Sequence, residues 1–361
     1  MKSYERILNE DMNPFTLTFG VLPEQFIKRD EIKDKVLRIF NSSRNEQNVF
    51  ILTGVRGSGK TVMLNNIKRE FEDLDDWIVL NVNPELNILE GIAAKLYERG
   101  AIKKYFVKPS FNFSFKGFGF SLEGDTPIKD IETLLEKMLS IIKGKGKRVL
   151  VTIDEIANTK NIKIFSHTFK NLTNDGMPIY LLATGLNENV YSLQNDKTLT
   201  FIYRARKIEI GPLNLSAISR SYMNVLGLKE DVAYRCATLT EGYASAYQIL
   251  GAILFDTGKK DIDDDVISEF DDILETINYE KLWEDISMKE KQFLNGFQSR
   301  KDNKASLIIE KSGISKDSYS KYRDRLIKRG VIKSDSYGYL SFALPRLFEF
   351  VQRKKLFDGL L

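Results

Sequence analysis

The eight residues Gly54-Val55-Arg56-Gly57-Ser58-Gly59-Lys60-Thr61 constrain this chain more than any other stretch. They match G-x-x-x-x-G-K-[ST], with an apolar run, Asn48 to Thr53, before them and a helical pattern, Lys60 to about Asp73, after them. A strand that passes through a glycine-rich turn straight into a helix aims backbone N–H groups at one point, and the helix N-terminus adds positive potential there. The segment therefore reads as a cradle for a nucleoside triphosphate. Gly54, Arg56, Gly57, Ser58, Gly59, Lys60, Thr61 and Val62 would surround the phosphates, with Lys60 on the β- and γ-phosphates and the Thr61 hydroxyl on Mg2+.

Such a cradle needs a second element to hold the metal. Val149 to Glu155, V-L-V-T-I-D-E, is a buried-strand pattern that ends in two acids. Asp154 would orient Mg2+ and its waters, and Glu155 is placed to polarise an attacking water. Paired acids favour hydrolysis over transfer to a substrate hydroxyl. Pro178 to Ala183 reads as a further strand, which runs into Thr184-Gly185. A hydroxyl at Thr184 would help hold the water. A cation in Phe201-Ile202-Tyr203-Arg204-Ala205-Arg206-Lys207 can neutralise transition-state charge in a neighbouring subunit's site. Arg204 is the first candidate and Arg206 the second; the alternative role for such an Arg is to anchor the strand that follows or to bind an internal carboxylate.

The rest of the chain shows how these pieces are carried. At 361 residues, two or three domains are expected. Strands are expected at 48–53, 77–82, 148–153, 178–183 and 207–210, and helices at 30–40, 60–73 and 85–99. This alternation predicts an α/β fold with a parallel sheet covered on both faces. Ser110 to Leu122 breaks the rhythm: Phe111, Phe113 and Phe115 alternate, as do Phe118, Phe120 and Leu122, about a Lys116-Gly117 turn. This predicts a β-hairpin insertion, over about 108–124, with an aromatic face to pack on the sheet domain or dock a partner. Beyond Pro212 the pattern is helical. Residues 213–284 hold 6 basic and 14 acidic residues, whereas 285–361 hold 17 and 9, so a basic module follows an acidic one and suits a polyanion.

Within the basic module, Ala305 to Lys311 reads as a helix, Ser312-Gly313-Ile314 as a turn, and a second helix runs from an N-cap at Ser315 to about Arg329, where Gly330 stops it. That is helix-turn-helix spacing. Placed in a major groove, the second helix would bring Tyr319 and Arg323 near base edges, with Lys316 on phosphate and Tyr322 beside them, while the turn at Tyr337-Gly338 would form a wing. Cys236 is the single cysteine and His167 the single histidine, so an internal disulfide and a Cys/His zinc site are excluded; His167 reads as structural. No run of about 18 apolar residues and no apolar core behind Met1-Lys2 are present, so no membrane span, no secretory signal and a cytoplasmic setting are expected.

Taken together, these residues resemble the AAA+ ATPases, in their origin-recognition and archaeal-ATPase-like branch. The resemblance starts at Asn13 to Asp30, which looks like the box that wraps the adenine. It continues through the phosphate loop, I-D-E, L-L-A-T-G-L-N, F-I-Y-R-A-R and G-P-L to Y-R-D-R-L-I-K-R-G-V-I and F-A-L-P-R. It implies a five-stranded parallel sheet in the order 5-1-4-3-2 within a domain at 1–212, a helical lid at 213–284 and a winged helix at 285–361. ATP with Mg2+ would be the ligand, Thr184 the first sensor and Arg204 a finger acting in trans, in a homo-oligomer assembled on ATP or DNA. One departure stands out. The lid reads T-E-G-Y-A-S-A-Y-Q-I-L-G, Thr240 to Gly251, and Ser245 sits where the branch carries its second-sensor Arg. The expected function is slow, partner-dependent ATP hydrolysis coupled to double-stranded DNA binding through the winged helix. The alternative is a STAND-like signalling switch whose winged helix binds protein.

Overall fold

The computed structural model describes residues 12–17, 20, 22–42, 47–99, 110–114, 121–124, 126–127, 130–196 and 199–357. They form two compact units, one from residues 29–53 and 63–209, the other from the described residues up to Lys28, the loop 54–62 and everything from Ile210 onward.

The first unit is built on an apolar sheet. Strands β1 (Val49–Gly54), β2 (Trp77–Asn81), β6 (Arg148–Ile153), β7 (Ile179–Leu186) and β8 (Arg206–Glu209) lie in the order β2-β6-β7-β1-β8. Numbered along the sheet strands alone, this is 5-1-4-3-2 read from the other edge. Pairing is parallel, with Trp77 beside Arg148, Val149 beside Ile179 and Phe50 beside Arg206. Every residue of β1 is buried, as a strand covered on both faces requires. The edge strand β8 is short and carries Arg206, Lys207 and Glu209, which disfavours edge-to-edge pairing. Helices α1 (Asp30–Phe40), α2 (Lys60–Glu72), α3 (Ile88–Glu98), α4 (Ile131–Gly144), α5 (Lys160–Asn174), α6 (Asn187–Asn195) and α7 (Thr200–Arg204) supply the layers. The helices α3, α4 and α5 begin at side-chain caps, Asn87, Asp130 and Thr159, each accepting from the backbone N–H three residues on. Beside the sheet, Phe40 packs on Phe50, Phe71, Trp77 and Tyr180. The insertion is present as strands β3 (Ser110–Ser114) and β4 (Ser121–Gly124), antiparallel with Phe113 opposite Leu122, and β5 (Thr126–Pro127) parallel to β3. Its Lys116-Gly117 turn lies outside the described residues, and so do its aromatic side chains.

In the second unit one core runs from Leu213 to Val351 without a break at 284/285. Helices α8 (Leu215–Leu226), α9 (Glu230–Thr240), α10 (Ala244–Thr257) and α11 (Asp264–Leu274) form a bundle, continued by a π-helical turn, Glu275–Tyr279, and α12 (Glu280–Asp285). Cys236 is buried there, and burial pushes its thiol up to about 12. The N-terminal segment is held on the bundle: Phe15 packs against Tyr222 and Tyr247, and Thr16 N–H donates to Gln248 Oε1 at 3.0 Å. Helices α13 (Met288–Leu294), α14 (Ala305–Ser312), α15 (Lys316–Lys328) and α16 (Leu347–Phe357) and the antiparallel sheet β10 (Ile332–Ser336)-β11 (Tyr339–Phe342)-β9 (Asn303–Lys304) make the tail module. Gly313, at φ +64, closes α14 in the left-handed conformation that glycine tolerates.

A charged cluster fastens the tail module to the bundle. Arg346 forks onto Asp271 with two 2.7 Å bonds, Nε to Oδ1 and Nη2 to Oδ2. Arg353 reaches Asp271 and Glu275, and the Tyr279 hydroxyl donates to the Pro345 carbonyl. Asp271 is only 6% exposed, so its removal takes the one buried carboxylate from both cations and leaves Arg346 to Glu349 and Arg353 to Glu275. Asp271→Ala is expected to cost about 3 kcal/mol, read as a lowered urea midpoint; a loss below about 0.5 kcal/mol would mark the pair as solvent-screened.

Candidate nucleotide site

The phosphate loop leaves the buried end of β1 and enters α2 at Lys60, as its sequence requires. Gly57 and Gly59 hold φ +72 and +91, and a Cβ on Gly57 would lie 2.2 Å from Tyr243 Oη. Only glycine fits that turn. Ser58 and Lys60 are buried, and Lys60 Nζ donates to the Val55 carbonyl at 2.8 Å. A loop wound this tightly, opening a helix with a lysine in its first turn, fits a phosphate chain. The Thr61 hydroxyl and the Asp154 carboxylate are hard oxygen donors of the kind Mg2+ takes.

The loop is gripped from the bundle. The Tyr243 hydroxyl donates to the Arg56 carbonyl at 2.6 Å, with Asn278 Oδ1 sharing the contact at 3.0 Å. Ser245 N–H donates to the Gly57 carbonyl at 3.0 Å, and Asn278 Nδ2 donates to Ser245 Oγ at 2.8 Å. Burial pushes the Tyr243 phenol well above its ordinary range, so it remains a donor. Thus the position where an Arg was expected is filled by a serine tied to the loop backbone. Neither Tyr243 nor Asn278 stood out in the sequence. The first follows Gly242 in the segment the resemblance marks, whereas Asn278 sits on the π-helical turn, for which no pattern was legible.

On the sheet unit, β6 delivers Asp154 and Glu155, and β7 delivers Thr184. The Thr184 hydroxyl, fully buried, donates to Asp154 Oδ1 and accepts from the Glu155 N–H at 2.9 Å. Its one proton is therefore spent on the carboxylate, so it braces the acidic pair, and toward a water it can act only as an acceptor. Glu155 is exposed and sits at φ +59, a conformation that costs a non-glycine residue about 1–2 kcal/mol; the bond to Thr184 helps hold it. Beside Asp154, Asn81, Asn83, Asn87, Leu86 and Lys95 line a cleft of about 420 Å3.

Arg204 and Arg206 are exposed at the end of α7 and the start of β8, with Lys207 Nζ 5.9 Å from the Tyr203 ring centroid. The candidate DNA residues are not all on the surface. Tyr319 is buried, packed on Phe293, and Tyr322 packs against the core, because both lie on the apolar face of α15. Tyr319 therefore presents no edge to a base, and Tyr322 is only partly exposed. Arg323 is paired with Asp324, at 2.8 Å. Lys316 is exposed; Lys321, Arg325 and Lys328 are also exposed and, at i, i+4 and i+7, form a face of their own. Among the described residues no His/Cys/Asp/Glu cluster suited to a metal is found, and no helix is long and apolar enough to cross a membrane. His167 stands exposed on α5.

Residues 29–184 match the KAP family P-loop domain, and residues 278–351 match a domain of unknown function, DUF8462. No curated protein is similar in sequence. Among solved structures, a Walker-type ATPase of Pyrococcus abyssi is similar at 12% identity and a TM-score of 0.66, over 94% of this chain and 99% of that one. The ORC2 protein of Aeropyrum pernix, in ADPNP-ADP complexes, is similar at 13% identity and a TM-score of 0.61, over 95% and 98%. The chain thus has a P-loop fold, which it shares with these structures.

The bracing of the acidic pair makes Thr184 separable from nucleotide binding. Thr184→Val keeps the shape and removes the hydroxyl. It is expected to slow nucleotide turnover by on the order of 10²-fold with affinity little changed, while Thr184→Ser retains turnover. Equal rates for Val and wild type would contradict the bracing role.

Proposed function

We propose that this chain is an ATP-binding AAA+ ATPase that couples its nucleotide state to double-stranded DNA through a C-terminal winged helix. The observation that carries the reading is the phosphate loop, with Gly57 and Gly59 in left-handed turns and Lys60 in the first turn of α2. Gly54 to Val62 would hold ATP, and Thr61 and Asp154 would hold Mg2+, which when bound neutralises charge on the phosphates. Glu155 would take the proton of the attacking water. Thr184 keeps Asp154 and Glu155 in place. The exposure of Arg204 suits a cation offered to a neighbouring copy, so that turnover would be slow in the single chain and completed in a homo-oligomer.

For DNA the support is the exposed basic face Lys321, Arg325 and Lys328 of α15, with Lys316 exposed in its first turn and Tyr337 fully exposed at the tip of the β10–β11 turn. These groups suit phosphates more than base edges, so binding would depend on salt more than on sequence. A second reading is favoured by Asp317 and Asp324, exposed on the same helix: a signalling switch whose winged helix binds a protein of mixed charge.

A fluorescence anisotropy titration of labelled duplex separates the two. The DNA reading expects affinity that falls steeply with salt, on the order of 10²-fold or more between 50 and 200 mM, and that differs between ATP and ADP in the Glu155→Gln chain, which should keep nucleotide and lose turnover. No binding at 50 mM salt with either nucleotide would leave the protein-binding switch.

A further inference from the structure

The bonds that tie Tyr243, Ser245 and Asn278 to the phosphate loop form a closed ring: Arg56 carbonyl, Tyr243 hydroxyl, Asn278 amide, Ser245, Gly57 carbonyl. Tyr243 and Asn278 are 6% and 2% exposed, so water does not compete for these bonds. Both contacts to the loop take carbonyls; neither uses a loop N–H, the group a phosphate needs. The ring therefore fixes the outer rim of the loop while leaving its anion-binding role intact.

Asn278 lies on the π-helical turn, one residue before Tyr279, whose hydroxyl is bonded to Pro345 of the tail module. A second contact reaches the loop from the same module. Gly330, which ends α15 at φ +69, packs so closely on Val55 that a Cβ there would lie 2.0 Å from Val55 Cγ1. The Val55 carbonyl is the one that accepts Lys60 Nζ. Of two adjacent loop residues, Val55 is thus set from the tail module and Arg56 from the bundle, and the first of them also holds the loop lysine.

We propose that Tyr243 and Asn278 are positioning residues for the phosphate loop, and that through them nucleotide occupancy is communicated to α15 and the β10–β11 turn. The proposal rests on the reading of Gly54 to Val62 as a nucleotide loop. A loop reshaped by phosphate moves the carbonyls of Arg56 and Gly57, and these are bonded directly to the bundle and, through Asn278, to the segment that carries the tail module. By linkage the coupling runs both ways: whatever binds the tail module alters nucleotide affinity by the same factor.

The test uses the full chain with Mg-ADP as probe. Tyr243→Phe removes one hydroxyl and keeps the ring; Asn278→Ala opens the ring at its other side. Calorimetry gives ADP affinity, and amide hydrogen exchange of peptides spanning Lys316–Phe342 is read with and without ADP. In the wild type, ADP is expected to change exchange in these peptides by about threefold or more. Each variant is expected to bind ADP about tenfold more weakly and to lose the exchange response even at saturating ADP. A merely structural role would lower the melting temperature yet leave the response at saturation unchanged, and that result overturns the proposal. So does a variant that binds ADP as tightly as wild type. A wild type that binds ADP with no change in these peptides overturns the coupling alone, whereas a wild type that binds no ADP overturns the nucleotide reading beneath it.

Discussion

The structure depends on how the backbone at Gly54 to Thr61 is held. A loop that offers N–H groups to an anion must keep its carbonyls occupied elsewhere, because buried carbonyls without partners are costly. Here the bundle occupies them, through Tyr243 on Arg56 and Ser245 on Gly57. Glycine at 57 is then doubly required, by its positive φ and by the hydroxyl packed against it. This single constraint explains why the loop belongs with the helical unit rather than with the sheet whose strand leads into it.

The acidic pair follows the same logic on the sheet. Buried β-branched and apolar residues set the order and register of β6 and β7, and that register brings Thr184 to Asp154 and to the Glu155 N–H. A hydroxyl that donates to one acid and accepts from the backbone of the next is a brace. Acids placed by a neighbouring strand, not by their own loop, need little sequence information beyond the two strands.

Much of this was legible in the sequence because local signals and burial agree there. The helix at Asp30–Phe40 and the strand at Arg148–Ile153 fall where periodicity places them, and the sheet order is the one the resemblance implies. Where three-dimensional packing decides, the sequence was silent or misleading. Tyr319 reads as exposed on a basic helix, yet the packing of Phe293 against that face makes it core. The acidic-to-basic change near 284 suggested a boundary, whereas Asp271, Arg346 and Arg353 use that very change of sign to join the two parts. Asn278 carries no signal because its role comes from a π-helical turn that no periodicity announces.

The most direct measurement is isothermal titration of Mg-ATP into the wild-type chain and into Lys60→Ala. Stoichiometric binding by the first, weakened by on the order of 10²-fold or abolished in the second, is the expected result. Absence of binding by the wild type, or equal affinity in the two, would contradict the assignment of Gly54 to Thr61 as the nucleotide loop.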